Sequence, residues 1–249
     1  MSFSDQLLNW WDQHGRKDLP WQHPRSAYQV WVSEIMLQQT QVKTVIPYFN
    51  RFMDRFPDIK ALAEASNDEV MAHWSGLGYY ARARNLLKTA KICVESSGKN
   101  LPETPDALAD LPGIGESTAN AIYSQAYDKP AVILDGNVKR VLARYFAVEG
   151  WPGKSSIHKQ LWSKAERLLP AQRGADYTQA VMDMGATVCT RTRPKCEQCP
   201  VSCECRAFNN GAVEQFPASR PRIKISKKSF QMLILTNDEG KVLLERRPP

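Results

Sequence analysis

Residues 111–119 read Leu111-Pro112-Gly113-Ile114-Gly115-Glu116-Ser117-Thr118-Ala119, two glycines between two helical patterns, and this stretch decides how the chain is organised. Before it, residues 105–110 read as a short helix. After it, residues 117–127 read as another. A glycine in such a link lets the backbone turn tightly and lets another backbone come close. The free amides of the second helix's first turn can then hold an anion such as phosphate. An ordinary interhelical turn accounts for the two glycines equally well, so the surrounding chain has to discriminate. Working outward, apolar positions recur at spacings of three and four throughout the first 190 residues. The predicted helices are 4–13, 28–39, 44–55, 68–74, 79–95, 105–110, 117–127, 138–148, 156–168 and 176–189, an all-α core. Strand signals arise only at 230–235 and 241–245, joined by Thr236-Asn237-Asp238-Glu239-Gly240, which predicts a hairpin too small to stand alone.

The 249 residues are 43% apolar and 24% charged, enough to bury a core in one or two domains. No run of about 18 uncharged apolar residues occurs, and the opening Met1-Ser2-Phe3-Ser4-Asp5-Gln6 has no basic segment followed by an apolar one. Neither a membrane span nor a secretory leader is expected, and the expected location is cytoplasmic, at the nucleoid. The net charge is +7. Residues 189–228 hold nine basic side chains against three acidic ones and so supply +6 of it, a local field suited to a polyanion. The chain stops at Arg246-Arg247-Pro248-Pro249 just as a β-containing unit begins, so a piece of a longer protein is expected.

Five of the six cysteines fall within the same basic region, as Cys189-x6-Cys196-x2-Cys199-x5-Cys205 with Cys203 inside the last interval. Clustering of this kind points to metal ligation before disulfides. One loop must enclose the whole site, which suits a cubane of four irons and four sulfides held by four thiolates; a zinc site, which usually joins two separated knuckles, is the alternative. Between the first two cysteines, Arg191, Arg193 and Lys195 project cations as a phosphate-contacting surface would. Cys93, alone on a helix, reads as a core residue.

Two carboxyls complete the pattern. Glu34 lies within Val30-Trp31-Val32-Ser33-Glu34-Ile35-Met36-Leu37, where burial among apolar neighbours would raise its pKa and keep it a proton donor near neutrality; a solvated Glu at the helix edge is the alternative. Asp135 follows Val132-Ile133-Leu134 at a helix start, where an N-cap is the simplest reading and the helix amides favour an ionised side chain. Carboxyls in divergent environments suit cleavage of a glycosidic bond.

Taken together, Ser33-Glu34-Ile35-Met36-Leu37-Gln38-Gln39-Thr40-Gln41, Gly76-Leu77-Gly78-Tyr79-Tyr80-Ala81-Arg82-Ala83-Arg84, the glycine link, Leu134-Asp135-Gly136-Asn137-Val138 and the four cysteines occur in one succession. That succession resembles the adenine DNA glycosylases of the MutY type, over residues 5–249. The resemblance implies a two-lobed helix-hairpin-helix fold: a six-helix domain over 22–132, a cluster domain from 1–21 and 133–209, a basic linker over 210–228, and at 229–249 the first hairpin of a truncated Nudix-like domain. It implies hydrolysis of the bond between adenine and its sugar where adenine is mispaired with 8-oxoguanine or guanine in double-stranded DNA, by a monomer, leaving an abasic site. Glu34 would protonate the extruded base, Asp135 would steady the cationic sugar and Asn137 would orient Asp135 or the water. Gln38 and Tyr79 would fill and wedge the opened helix. Gly113, Gly115 and Ser117 of the hairpin, with Arg191, Arg193 and Lys195, would hold the backbone. Cys189, Cys196, Cys199 and Cys205 would hold one [4Fe-4S] cluster. Ser117 stands where lyase relatives carry a nucleophilic Lys, which disfavours an oxidised-pyrimidine glycosylase/lyase. A non-catalytic iron-sulfur DNA-binding protein and an iron-sulfur electron carrier compete with the enzyme reading. A chain ending at 249 is expected to prefer 8-oxoguanine over guanine less strongly.

Overall fold

The computed structural model describes residues 1–96, 100–221, 227 and 229–244. Residues 1–219 form one compact unit and 220–249 a second. The first is helical: α1 Phe3–His14, α2 Ala27–Leu37, α3 Val42–Arg55, α4 Ile59–Glu64, α5 Asn67–Trp74, α6 Ala81–Ser96, α7 Pro105–Ala109, α8 Glu116–Tyr127, α9 Gly136–Tyr145, α10 Ser155–Glu166, α11 Gly174–Thr187 and α12 Arg206–Asn209. Caps set many of these starts. Ser2, Ser26, Asp58, Ser66, Thr104 and Asp135 each accept a backbone N–H three residues on, which satisfies one of the free donors of a first turn. None of the described helices is long and apolar enough to cross a membrane.

The periodicity predicts neither the four-residue α12 nor α4. The six residues of α4 make fewer than two turns, too few for a repeat to show, yet Ile59 and Leu62 are buried and Asp58 caps it. The start of α6 also differs from the prediction: Tyr79 has φ 49° and lies in the preceding loop, outside the helix.

Two apolar cores share the first unit. One gathers side chains between Leu19 and Ile122, with Trp21, Trp31, Phe49, Phe52, Phe56 and Trp74 all at most 2% exposed. The other joins Phe3, Leu7 and Trp11 of α1 to residues from Val132 to Val201. Burial of each large side chain supplies about 1.5–3 kcal/mol. α8 is the wall between them: Ile122 points into the first core and Ala121 into the second. It packs on α2 on one side and on α11 on the other. A buried bond of 2.8 Å between the hydroxyls of Ser124 and Thr178 ties α8 to α11. The glycine link at 113–115 thus delivers a helix that α2 and α11 both touch.

In the second unit the predicted hairpin reduces, among the described residues, to a turn and one antiparallel bridge, Thr236 with Val242. Asn237 Oδ1 accepts the N–H groups of Glu239 and Lys241, and Gly240 takes φ 75°. Phe230, Leu233 and Leu244 are each more than 80% exposed, so no apolar layer stabilises longer strands. Glu245, and Arg222, Lys224 and Lys228 of the predicted linker, lie outside the described residues.

Candidate active site

A cleft of roughly 650 Å³ opens between the two cores, and Glu34, Gln38, Ser117, Asp135 and Asn137 line it together with Arg16, Trp21, Lys43, Gln179 and Met182. Residues 34 and 135, 101 positions apart in the chain, therefore face one cavity.

α2 brings Glu34 there. Val30, Trp31, Ile35 and Met36 fix the helix in the first core, which leaves the carboxyl turned towards α8. Gln125 of α8 donates Nε2 to Glu34 Oε1 at 2.8 Å. Burial pushes the Glu34 carboxyl from its ordinary 4.5 up to about 7; the Gln125 bond opposes that rise, and negative Asp135 adds to it. Glu34 can therefore hold a proton near neutral pH.

Asp135 is built differently. It caps α9, and its Oδ1 accepts the Val138 N–H at 2.7 Å. Burial raises this carboxyl too, while the Val138 and Asn137 amides and the cations Arg140 and Lys139 pull it back. The helix N-terminus limits the effect of burial and does not reverse it.

Asn137 hangs from the same turn. Its Oδ1 accepts from Arg140 Nη2 at 2.9 Å, and the same nitrogen donates to Gly185 O at 2.7 Å. A Cβ at Gly185 would lie 2.7 Å from the Asn137 Cβ, so α11 approaches this turn only because residue 185 is glycine. Ser117 Oγ accepts the Leu134 N–H at 2.8 Å and so joins the first turn of α8 to the segment leading into Asp135.

The remaining candidates lie outside the cleft. Tyr79 is 59% exposed on its loop. Gly113 has φ 81°, and a Cβ there would meet Asn85, so the fold itself needs that glycine. Gly115 caps α8 with an ordinary φ of −91°, and a Cβ there would meet open space. Nothing inside the chain demands a glycine at that position. Arg191, Arg193 and Lys195 are exposed on their loop.

Cys189, Cys196, Cys199 and Cys205 line one small pocket beneath α9 and α11, while Cys203 is exposed and lies outside it. Among the described residues, no three His, Cys, Asp or Glu side chains converge as ligands of a single ion. Burial, reinforced by the neighbouring cysteines, pushes Cys199 up to about 12, with Cys196 and Cys205 raised for the same first reason. Burial thus keeps them as thiols, and a cationic occupant would be needed to draw out their protons.

Several side chains that hold the site carry no signature in sequence. Gln125 sits mid-helix. Arg144 donates to Cys189 Sγ at 3.3 Å, to Thr190 O at 2.7 Å, to Arg191 O at 3.3 Å and to Phe216 O at 3.0 Å, which pins the base of the cationic loop. Asp183, buried on α11, receives Arg16 Nη2 at 2.6 Å and Trp11 Nε1 at 3.2 Å, which sets Arg16 at the cleft. Cys93, predicted as core, is 1% exposed within the first core.

A family model for HhH-GPD superfamily base excision DNA repair proteins matches residues 32–167, from α2 through α10. The chain belongs to that superfamily. Adenine DNA glycosylase from Buchnera aphidicola subsp. Schizaphis graminum is 43% identical over 233 residues, covering 93% of this chain and 67% of the relative. Adenine DNA glycosylase from Homo sapiens is 45% identical over 227 residues, 88% of this chain and 41% of the human protein. Among solved structures, a thermostable thymine-DNA glycosylase superposes with a TM-score of 0.76 at 30% identity, covering 84% of this chain and 95% of its own. An endonuclease III–DNA complex superposes with a TM-score of 0.70 at 20% identity, over 84% of this chain and 94% of its own, which speaks for the fold. This HhH-GPD protein is a DNA glycosylase, an enzyme acting on N-glycosyl bonds, and DNA is what it binds.

Proposed function

We propose that this glycosylase is monofunctional and, acting as a monomer, hydrolyses the N-glycosidic bond of adenine mispaired with 8-oxoguanine or guanine in double-stranded DNA. The observation that carries the reading is the pair of carboxyls on one cleft, Glu34 pushed up to about 7 and Asp135 capped by helix amides. Adenine leaves poorly as an anion. Protonation of a ring nitrogen, expected at N7, by Glu34 makes it a neutral leaving group, a general-acid effect of about 10²–10⁴-fold. As the bond breaks, the sugar acquires oxocarbenium character, and ionised Asp135 offsets that charge, an effect of about 10²–10³ where comparable groups have been removed. Water adds at C1′ and an abasic site remains. Asn137, held by Arg140, orients Asp135 or that water.

Because the target atom is hidden in the stack, the nucleotide rotates out at a cost of a few kcal/mol. Exposed Tyr79 and Gln38 at the cleft fit the parts of wedge and filler. Gly115, whose missing Cβ faces open space, leaves room for a DNA backbone over the first amides of α8. Ser117 has no amine for a Schiff base, and its hydroxyl is engaged with Leu134, which favours hydrolysis over lyase chemistry.

A [4Fe-4S] cluster on Cys189, Cys196, Cys199 and Cys205 fits the donor set. Four thiols from one loop line a single pocket, the donor set that such a cluster takes. The cluster supplies a crosslink that stiffens the loop of Arg191, Arg193 and Lys195 against phosphate, and electron transfer plays no part in hydrolysis. The turn at 236–240 is read as the opening of a Nudix-like domain.

Incubation with an adenine:8-oxoguanine duplex, followed by alkali, tests the reading. Strand breaks that need alkali are expected. Breaks without alkali would instead indicate an amine acting as nucleophile, with Lys43 at the cleft the first suspect, and no breaks under either condition would leave a binding module.

A further inference from the structure

Arg82, in the first turn of α6, is 8% exposed, and its guanidinium lies between two chain segments. Nη1 donates to the carbonyls of Ile35, Met36 and Gln38 at 3.1, 2.8 and 2.6 Å. Nη2 donates to those of Leu77 and Gly78, both at 3.2 Å. The last turn of a helix leaves carbonyls without partners, so the first three acceptors are the free end of α2. The other two belong to a loop whose Gly76, Gly78 and Tyr79 all have positive φ. The cation also faces the rings of Trp74 and Tyr79, with 5.2 and 5.4 Å to their centroids, and Trp74 Nε1 donates to Gly78 O at 3.0 Å. Nε is buried without a partner, so both terminal nitrogens are committed to the two segments at the expense of the third.

With both terminal nitrogens on carbonyls and Nε buried, the guanidinium has no exposed donor to offer a phosphate. What it does join is the backbone of Gln38, on the cleft, to the loop that presents Tyr79. We propose that Arg82 is a positioning residue that holds Gln38 and Tyr79 in register, so that filler and wedge enter the duplex as one unit. This rests on the reading that those two side chains enter DNA. A lysine cannot substitute, because a compact ammonium with three donors does not span two loops as a planar fork does.

The test compares Arg82→Lys with the unaltered chain on two duplexes, one with adenine opposite 8-oxoguanine and one with adenine opposite a tetrahydrofuran abasic analogue, each with 2-aminopurine beside the target. On the paired duplex the variant is expected to lose the 2-aminopurine unstacking signal and to excise roughly 10- to 100-fold more slowly, the scale of an ångström-level misplacement. On the duplex without an opposing base the deficit shrinks to within about threefold, since there is no pair to break, and the pH midpoint of excision is unchanged. Equal deficits on both duplexes, a shifted midpoint or no deficit would overturn the proposal. Trp74→Phe, which removes the bond to Gly78 and leaves a smaller ring beside Arg82, is expected to act in the same direction more weakly and decides the matter if Arg82→Lys does not fold. Gln38→Ala and Tyr79→Ala separate the two ideas. Should they keep the unstacking signal, the wedge reading falls; should they lose it while Arg82→Lys and Trp74→Phe keep it, the wedge stands and the clamp falls.

Discussion

Glu34 stands mid-helix in α2 among Val30, Trp31, Ile35 and Met36, with Gln125 donating to it, whereas Asp135 stands at the first amides of α9 with Arg140 and Lys139 nearby. Both carboxyls face one cleft and burial raises both. The difference lies in what opposes burial. A neutral amide can offset little of it, so Glu34 keeps its proton to about 7. At Asp135 two helix amides and two cations oppose burial, which still prevails. Ionised Asp135 also makes Glu34 harder to ionise, so the two environments reinforce one another.

The strongest way to break this contrast is Glu34→Gln. Single-turnover excision should fall by about 10²–10⁴-fold, because the isostere cannot deliver a proton, while duplex binding persists. The same variant should melt at a higher temperature than the unaltered chain at pH 8. Folding has moved the carboxyl up from 4.5 to about 7, so the native state binds the extra proton and stability is withdrawn as pH rises through that interval; glutamine escapes the loss. Turnover near the original rate would remove Glu34 from the acid role.

Asp135→Asn attacks the other side. Asparagine caps helices as well as aspartate does, so stability should change by less than about 1 kcal/mol, yet excision should fall by about 10²–10³-fold. Denaturant unfolding beside single-turnover kinetics separates the two. A loss of stability without a loss of rate would make Asp135 a cap and nothing more.

The smallest effect sharpens the contrast. Excision by the unaltered chain should fall above about pH 7 as Glu34 ionises and fall in acid as Asp135 is protonated. Gln125→Leu removes the bond that lowers Glu34, so the alkaline limb should move to higher pH while the acid limb stays. An alkaline limb that moves down, or does not move, would show that the limb belongs to another group.

The helical core was legible because each long helix repeats its apolar face within a dozen residues, and side chains such as Ser26 and Ser66 announce their caps locally. α4 is too short to repeat, and the hairpin at 230–245 carries a strand pattern that finds no apolar layer among the described residues. The burial of Glu34 was anticipated from its apolar neighbours along α2. Gln125, Arg82 and Arg144 were not anticipated, since a Gln or Arg on a helix is usually solvated and only packing reveals its acceptors.

Local chemistry along the chain determined the helices, the glycine turn, the four thiols in one loop and the presence of two carboxyls in unlike surroundings, because each depends on residues near in sequence. Tertiary structure alone decided that positions 34 and 135 share a cleft and that Gln125 meets Glu34. Those outcomes turn on contacts between helices distant in the chain, set by how α8 fits between two cores, and periodicity carries no information about such fits.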